Sequence, residues 1–162
     1  MGLLKFCEWL SHTSWSISLR DGTYDYPVLL IIHVLSIALF GGMVAIGNLR
    51  VLGAAMRNVP VSQVIEQFRP WKWIGFGVLL ITGILLSMSD PVEYGGNVMY
   101  WISLLLLLAA GVNSFVFRFG IYRSVASWDD ARITPPSARR WAGLSLVLWI
   151  ALVFAGRAIA FF

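Results

Sequence analysis

Tyr26-Pro27-Val28-Leu29-Leu30-Ile31-Ile32-His33-Val34-Leu35-Ser36-Ile37-Ala38-Leu39-Phe40-Gly41-Gly42-Met43-Val44-Ala45-Ile46-Gly47-Asn48-Leu49 decides the fold. From Pro27 to Leu49 it holds no Asp, Glu, Lys or Arg, and as a helix it is long enough to cross about 30 Å of hydrocarbon. Pro27 suits the first helical turn, where its missing N–H costs nothing. Three later stretches, Trp71–Ser89, Val98–Phe117 and Trp141–Phe161, are also long and apolar enough to span. Trp71, Trp73, Tyr100, Trp101 and Trp141 cluster at span ends, where amphipathic rings meet lipid headgroups.

Composition agrees. The 162 residues are 59% hydrophobic and 12% charged, with a mean hydropathy of +0.78, more apolar than a soluble domain of this size requires. Alternating ten-residue strands are absent, which argues against a transmembrane barrel. The expected fold is all-α: an integral membrane four-helix bundle over residues 26–162, with spans near 27–49, 71–89, 98–117 and 141–161, preceded by an interfacial amphipathic helix within residues 1–25.

Basic residues set the expected topology. Arg50, Arg57, Arg69, Lys72, Arg118, Arg123, Arg132, Arg139 and Arg140 flank the first and third connections, whereas the N-terminal segment offers Lys5 and Arg20 and the second connection, Asp90–Asn97, offers none. This asymmetry places both termini and the acidic loop outside, in the periplasm of a bacterial inner membrane. The net charge of +4 is then topological, and with no recognition module it does not point to nucleic acid.

In residues 1–25, Leu3, Leu4, Phe6, Cys7, Trp9 and Leu10 alternate irregularly with Lys5, Glu8, Ser11 and His12, a pattern suited to a helix lying in the outer interface. The segment lacks the order of a secretory signal and is expected to stay on the protein. Cys7 is the sole cysteine and reads as an interfacial hydrophobe. Ile133-Thr134-Pro135-Pro136-Ser137 reads as a cytoplasmic turn before the last helix.

His33 is the one histidine inside a span, and an imidazole in hydrocarbon needs a partner, so it is the leading candidate site. Helical rise puts it about 9 Å below the outer boundary, with Thr82 at about 10 Å and Arg157 at about 8 Å. His33, Ile37, Gly41, Ala45 and Asn48 share one stripe; Gly75, Thr82 and Gly83 form a small-residue face on the second span; Ala151, Ala155 and Ala158 form one on the fourth. Three roles for His33 stay open. It could ligate haem iron, with Gly41 leaving room for the macrocycle and Arg157 pairing a propionate. It could serve a quinone or proton-transfer site. It could simply hydrogen-bond a neighbouring helix, through Thr82 or the surroundings of Ser36. A second haem imidazole could come only from His12, on the interfacial segment; Met43, Met88 and Met99 are weaker soft ligands.

Met88 and Met99 flank the loop holding Asp90 and Glu93, too few and too separated to read as a soft-metal transport cluster. Asn48, Arg50, Trp73, Asn113 and Arg118 form an inner polar layer suited to solvated helix ends or an anionic lipid headgroup. No catalytic triad, phosphate loop, zinc signature or carboxylate pair is present in the sequence.

The run His33–Gly42, its continuation Asn48-Leu49-Arg50-Val51-Leu52-Gly53, then Pro70-Trp71-Lys72-Trp73-Ile74-Gly75-Phe76-Gly77, Thr82-Gly83 and Asn97 resemble an uncharacterised family of small four-helix bacterial inner-membrane proteins. More distantly they are similar to the copper-resistance D type and to HemJ-type protoporphyrinogen oxidase, which carry an early helical histidine and a following glycine in the manner of His33 and Gly41. The HemJ-type resemblance implies haem b ligation by His33. Ser103 stands where that pattern expects a lysine, and Arg118 where relatives often place a histidine, so porphyrinogen oxidation does not follow.

The resulting expectation is a membrane redox component binding haem b or a quinone through His33, Gly41, Thr82, Arg157 and His12. The alternatives are a non-catalytic subunit packing in a homo-oligomer or larger membrane complex, and a metal-handling permease.

Overall fold

The computed structural model describes residues 2–129 and 134–161; Arg132, Ile133 and the ends Met1 and Phe162 lie outside them. The described residues are helical and contain no strand. Four long apolar helices could each cross a membrane: α3 (Asp25–Leu52), α4 (Val61–Ser89), α6 (Val98–Phe119) and α7 (Pro136–Ala158). Shorter helices are α1 (Gly2–Ser11), α2 (Ser14–Asp21) and α5 (Pro91–Gly96), and a 3-10 segment, Ile121–Ser127, follows α6. We call the end carrying α1, α2 and α5 the terminal end, and the opposite one the far end.

Local chemistry sets the boundaries. α3 opens with Asp25 in its first turn, favourable to the helix dipole. It stops at Gly53, whose φ of 75° lies in the left-handed region where a side chain is disfavoured. α4 begins ten residues before Trp71, because Asp129 caps it from across the chain: Ser62 N donates to Asp129 Oδ1 at 2.7 Å, and the Ser62 hydroxyl donates to Oδ2. Pro70 lies within α4, and the helix continues through it despite the missing donor. Asp90 caps α5 by accepting from Glu93 N at 3.1 Å. Asn97 caps α6 through Met99 N at 2.9 Å, while its Nδ2 donates to Ile159 O at 3.0 Å and ties the start of α6 to the end of α7.

The long helices pack in the order α4, α3, α7, α6; among the described residues α4 and α6 do not pack on one another. Their edges are instead joined at the far end by Arg118 on Glu66, 2.8 Å, with the Tyr122 hydroxyl on the same carboxylate at 3.0 Å. The tightest apolar packing is also there: Val51, Val61, Trp128, Ala138 and Ala142 are buried together, beside Arg50, whose Nε donates to Val59 O. Elsewhere large apolar side chains such as Leu39, Ile81, Leu105 and Phe154 are exposed along the helices, a surface suited to lipid tails.

The N-terminal segment departs from the expected single helix. It forms two, split at His12-Thr13, because the Thr13 side chain caps α2 by accepting from Ser16 N at 3.4 Å. α1 packs on α5 and α2 on α3 and α4. Ser16 is fully buried, and Cys7 is buried with its sulfur against Gly95, where an added Cβ would sit 2.9 Å from Sγ. These contacts dock the segment on the terminal end.

Candidate functional site

The structure brings His33 and Thr82 together. His33 Nδ1 lies 2.8 Å from Thr82 Oγ1, joining α3 to α4, and the ring's Cε1 rests over Gly83, where a Cβ would approach it to 3.3 Å. Gly83 therefore gives the imidazole its seat. The Thr82 oxygen is also 2.7 Å from Val78 O and 3.2 Å from Leu79 O. Carbonyls only accept, so with the hydroxyl proton on one of them Thr82 Oγ1 accepts from His33 Nδ1–H; the opposite roles belong to the other tautomer. In the first arrangement the ring is the Nδ1–H tautomer and its Nε2 lone pair is open to a ligand. Among the described residues the side-chain hydrogen bond of this ring is the one at Nδ1.

The other expected members do not assemble around that nitrogen. Gly41 does allow a close approach, but the group that uses it is Trp149: a Cβ at position 41 would lie 2.6 Å from Trp149 Cε2. The indole also packs edge-on to Phe40, centroids 5.2 Å apart, so the space expected for a macrocycle is filled by α7. The Arg157 guanidinium stacks 5.1 Å from the centre of the Phe161 ring, and nothing joins it to His33. His12 is exposed at the turn between α1 and α2. The residues present thus fit haem in one respect, an oriented axial nitrogen, and not in the cradle or the propionate partner. Among the described residues, no three His, Cys, Asp or Glu side chains converge to hold a metal ion.

The remaining sequence features find structural places. A Cβ added at Gly75 would lie 3.5 Å from Phe40 Cβ and 3.7 Å from Met43 Cε, ordinary contact distances. Asn48 donates to Ser145 Oγ at 2.9 Å, joining α3 to α7. Ala155 is buried within the chain. At the terminal end, burial foremost and a hydrogen bond with Tyr26 push the Tyr94 hydroxyl well above its ordinary pKa, so it stays protonated. A groove of about 310 Å³ between α2 and α3 runs past Tyr24 and Asp25 to Leu29 and Ile32, next to His33 in the chain.

Sequence reading did not single out Trp149, Glu66, Tyr122 or Asp129 as partners. Trp149 had one available signal, as one of two tryptophans on a helix facing a glycine stripe; the others act across connections that sequence spacing does not resolve.

A family described as a family of unknown function, DUF6644, matches over residues 11–162. The chain belongs to that family. The DUF6644 match takes in α2 to α7, with His33 and Thr82, and leaves out nearly all of α1. It bears out an uncharacterised family and lends nothing to the copper-resistance D or HemJ-type likeness. No curated protein matches the chain. No solved structure matches it either.

Proposed function

We propose that this DUF6644 chain is a small redox component of a bacterial inner membrane, with both termini in the periplasm, that binds a lipophilic redox ligand at His33. One observation carries the reading: the imidazole Nδ1 lies 2.8 Å from Thr82 Oγ1 and the ring is seated on Gly83, an arrangement that leaves Nε2 for a ligand when Nδ1 carries the proton. A ligating or proton-accepting histidine needs its other nitrogen fixed in this way. A quinol hydroxyl donating to Nε2 matches what the site offers, a neutral acceptor in an apolar wall. Haem b would find one axial nitrogen there, with the approach over Gly41 taken by Trp149.

The test is analytical. Protein purified in mild detergent from cells with ample haem and quinone should carry quinone in its organic extract in proportion to protein, or show a Soret band, and His33→Ala should lose whichever is bound. A folded wild-type protein that carries neither would overturn the reading.

The second reading, a non-catalytic subunit of an oligomer or larger complex, is favoured by the unpacked edges of the helix row. Among the described residues α4 and α6 each keep one apolar face with no long helix against it, and such faces can take a partner as well as lipid.

A further inference from the structure

Asn113 is the polar residue that the site above does not use. It lies on α6 about 9 Å from the helix's far end. It is 4% exposed, and its Oδ1 is buried with no hydrogen-bond partner. Its Nδ2 faces Trp141 O at 3.5 Å; because that carbonyl can only accept, the amide cannot be reversed to pair the oxygen there instead. Asn113 borders an open groove of about 470 Å³ between α6 and α7, whose other walls include Leu105, Leu108, Ala109, Trp141 and Leu148. That volume falls within the ~300–1,000 Å³ of small-molecule sites.

From this pairing we infer that the α6–α7 groove binds a lipophilic alcohol, its chain along the leucines and its hydroxyl on the Asn113 amide oxygen. A phospholipid tail fills the groove but has no donor, so it leaves the buried oxygen unpaired. Water can pair Asn113 and the Trp141 indole N–H but makes no use of the leucine walls. An alcohol satisfies both surfaces with one donor. The oxygen itself is buried, so the alcohol reaches it once the amide turns about its long 3.5 Å Nδ2 contact. The inference is independent of the reading of His33, which lies on the other pair of helices.

Full-length protein in detergent is titrated with farnesol and with farnesyl methyl ether, and bound ligand is measured by native mass spectrometry. The ether keeps the chain and loses the donor. Wild-type protein is expected to hold the alcohol about tenfold more tightly than the ether. Asn113→Leu should bring that ratio to about one with ether binding unchanged, and Ala109→Trp should remove both ligands by filling the groove. Equal binding of the two by wild-type protein would make the groove a site for acyl chains only and overturn the inference, as would no binding of either. A mass of two chains that farnesol does not dissociate would give the groove to a second copy. An Asn113→Leu protein that kept the preference would equally overturn it. The wild-type comparison stands even where a variant fails to fold.

Discussion

Trp149 lies where a side chain at position 41 would be. Its indole reaches α3 across a glycine, and the contact between α3 and α7 depends on the missing Cβ. Gly41→Ala should therefore push the two helices apart and cost about 1–3 kcal/mol, the usual range for overpacking. Thermal unfolding in detergent measures it, and Gly41→Ala combined with Trp149→Ala should recover part of the loss. A variant melting like wild type would show that Trp149 is not held against α3.

Asp129 and Ser62 supply a second test. Removing the capping carboxylate by Asp129→Ala should cost about 0.5–2 kcal/mol, the usual worth of a helix cap. Asp129→Asn keeps an acceptor for Ser62 N and should cost less. Amide exchange should quicken at Val61–Val64 in Asp129→Ala and stay slow in Trp71–Ser89. Unchanged exchange at Val61 would remove the cap from the account.

How far the sequence carried the fold follows from these residues. The spans are legible because hydrocarbon thickness sets a length that few compositions satisfy. The early start of α4 is not legible, since its cap is supplied by Asp129, 67 residues further along in the connection after α6. The split at Thr13 was readable as a threonine cap, but the irregular apolar pattern around it suggested one helix. At the site, depth put His33, Thr82 and Arg157 at one level; that Thr82 meets His33 while Arg157 turns to Phe161 is set by which helices pack and how they rotate. Gly41 was correctly read as a place of close approach; what approaches depends on the rotation of α7, and that rotation is set by packing that a single stripe of alanines does not fix.

Topology has its own test. Basic residues crowd the far end, at Arg50, Arg57, Arg118, Arg139 and Arg140, and the terminal end holds Lys5, Arg20 and Arg157. With the far end cytoplasmic, a periplasm-dependent reporter fused after Phe162 should be active and one fused at Ser127 inactive. The opposite pattern would invert the orientation.

The central claim is that His33 donates through Nδ1 to Thr82 and offers Nε2 to a lipophilic ligand. Nitrogen-15 NMR of histidine-labelled protein in detergent reads both nitrogens at once, with His33→Phe assigning the signal. At neutral pH the account predicts a protonated Nδ1 and an unprotonated Nε2, the latter shifting when a hydroquinone or haem is added and the tautomer preference lost in Thr82→Val. A protonated Nε2 in the ligand-free protein, or an Nε2 signal indifferent to both ligands, would contradict it.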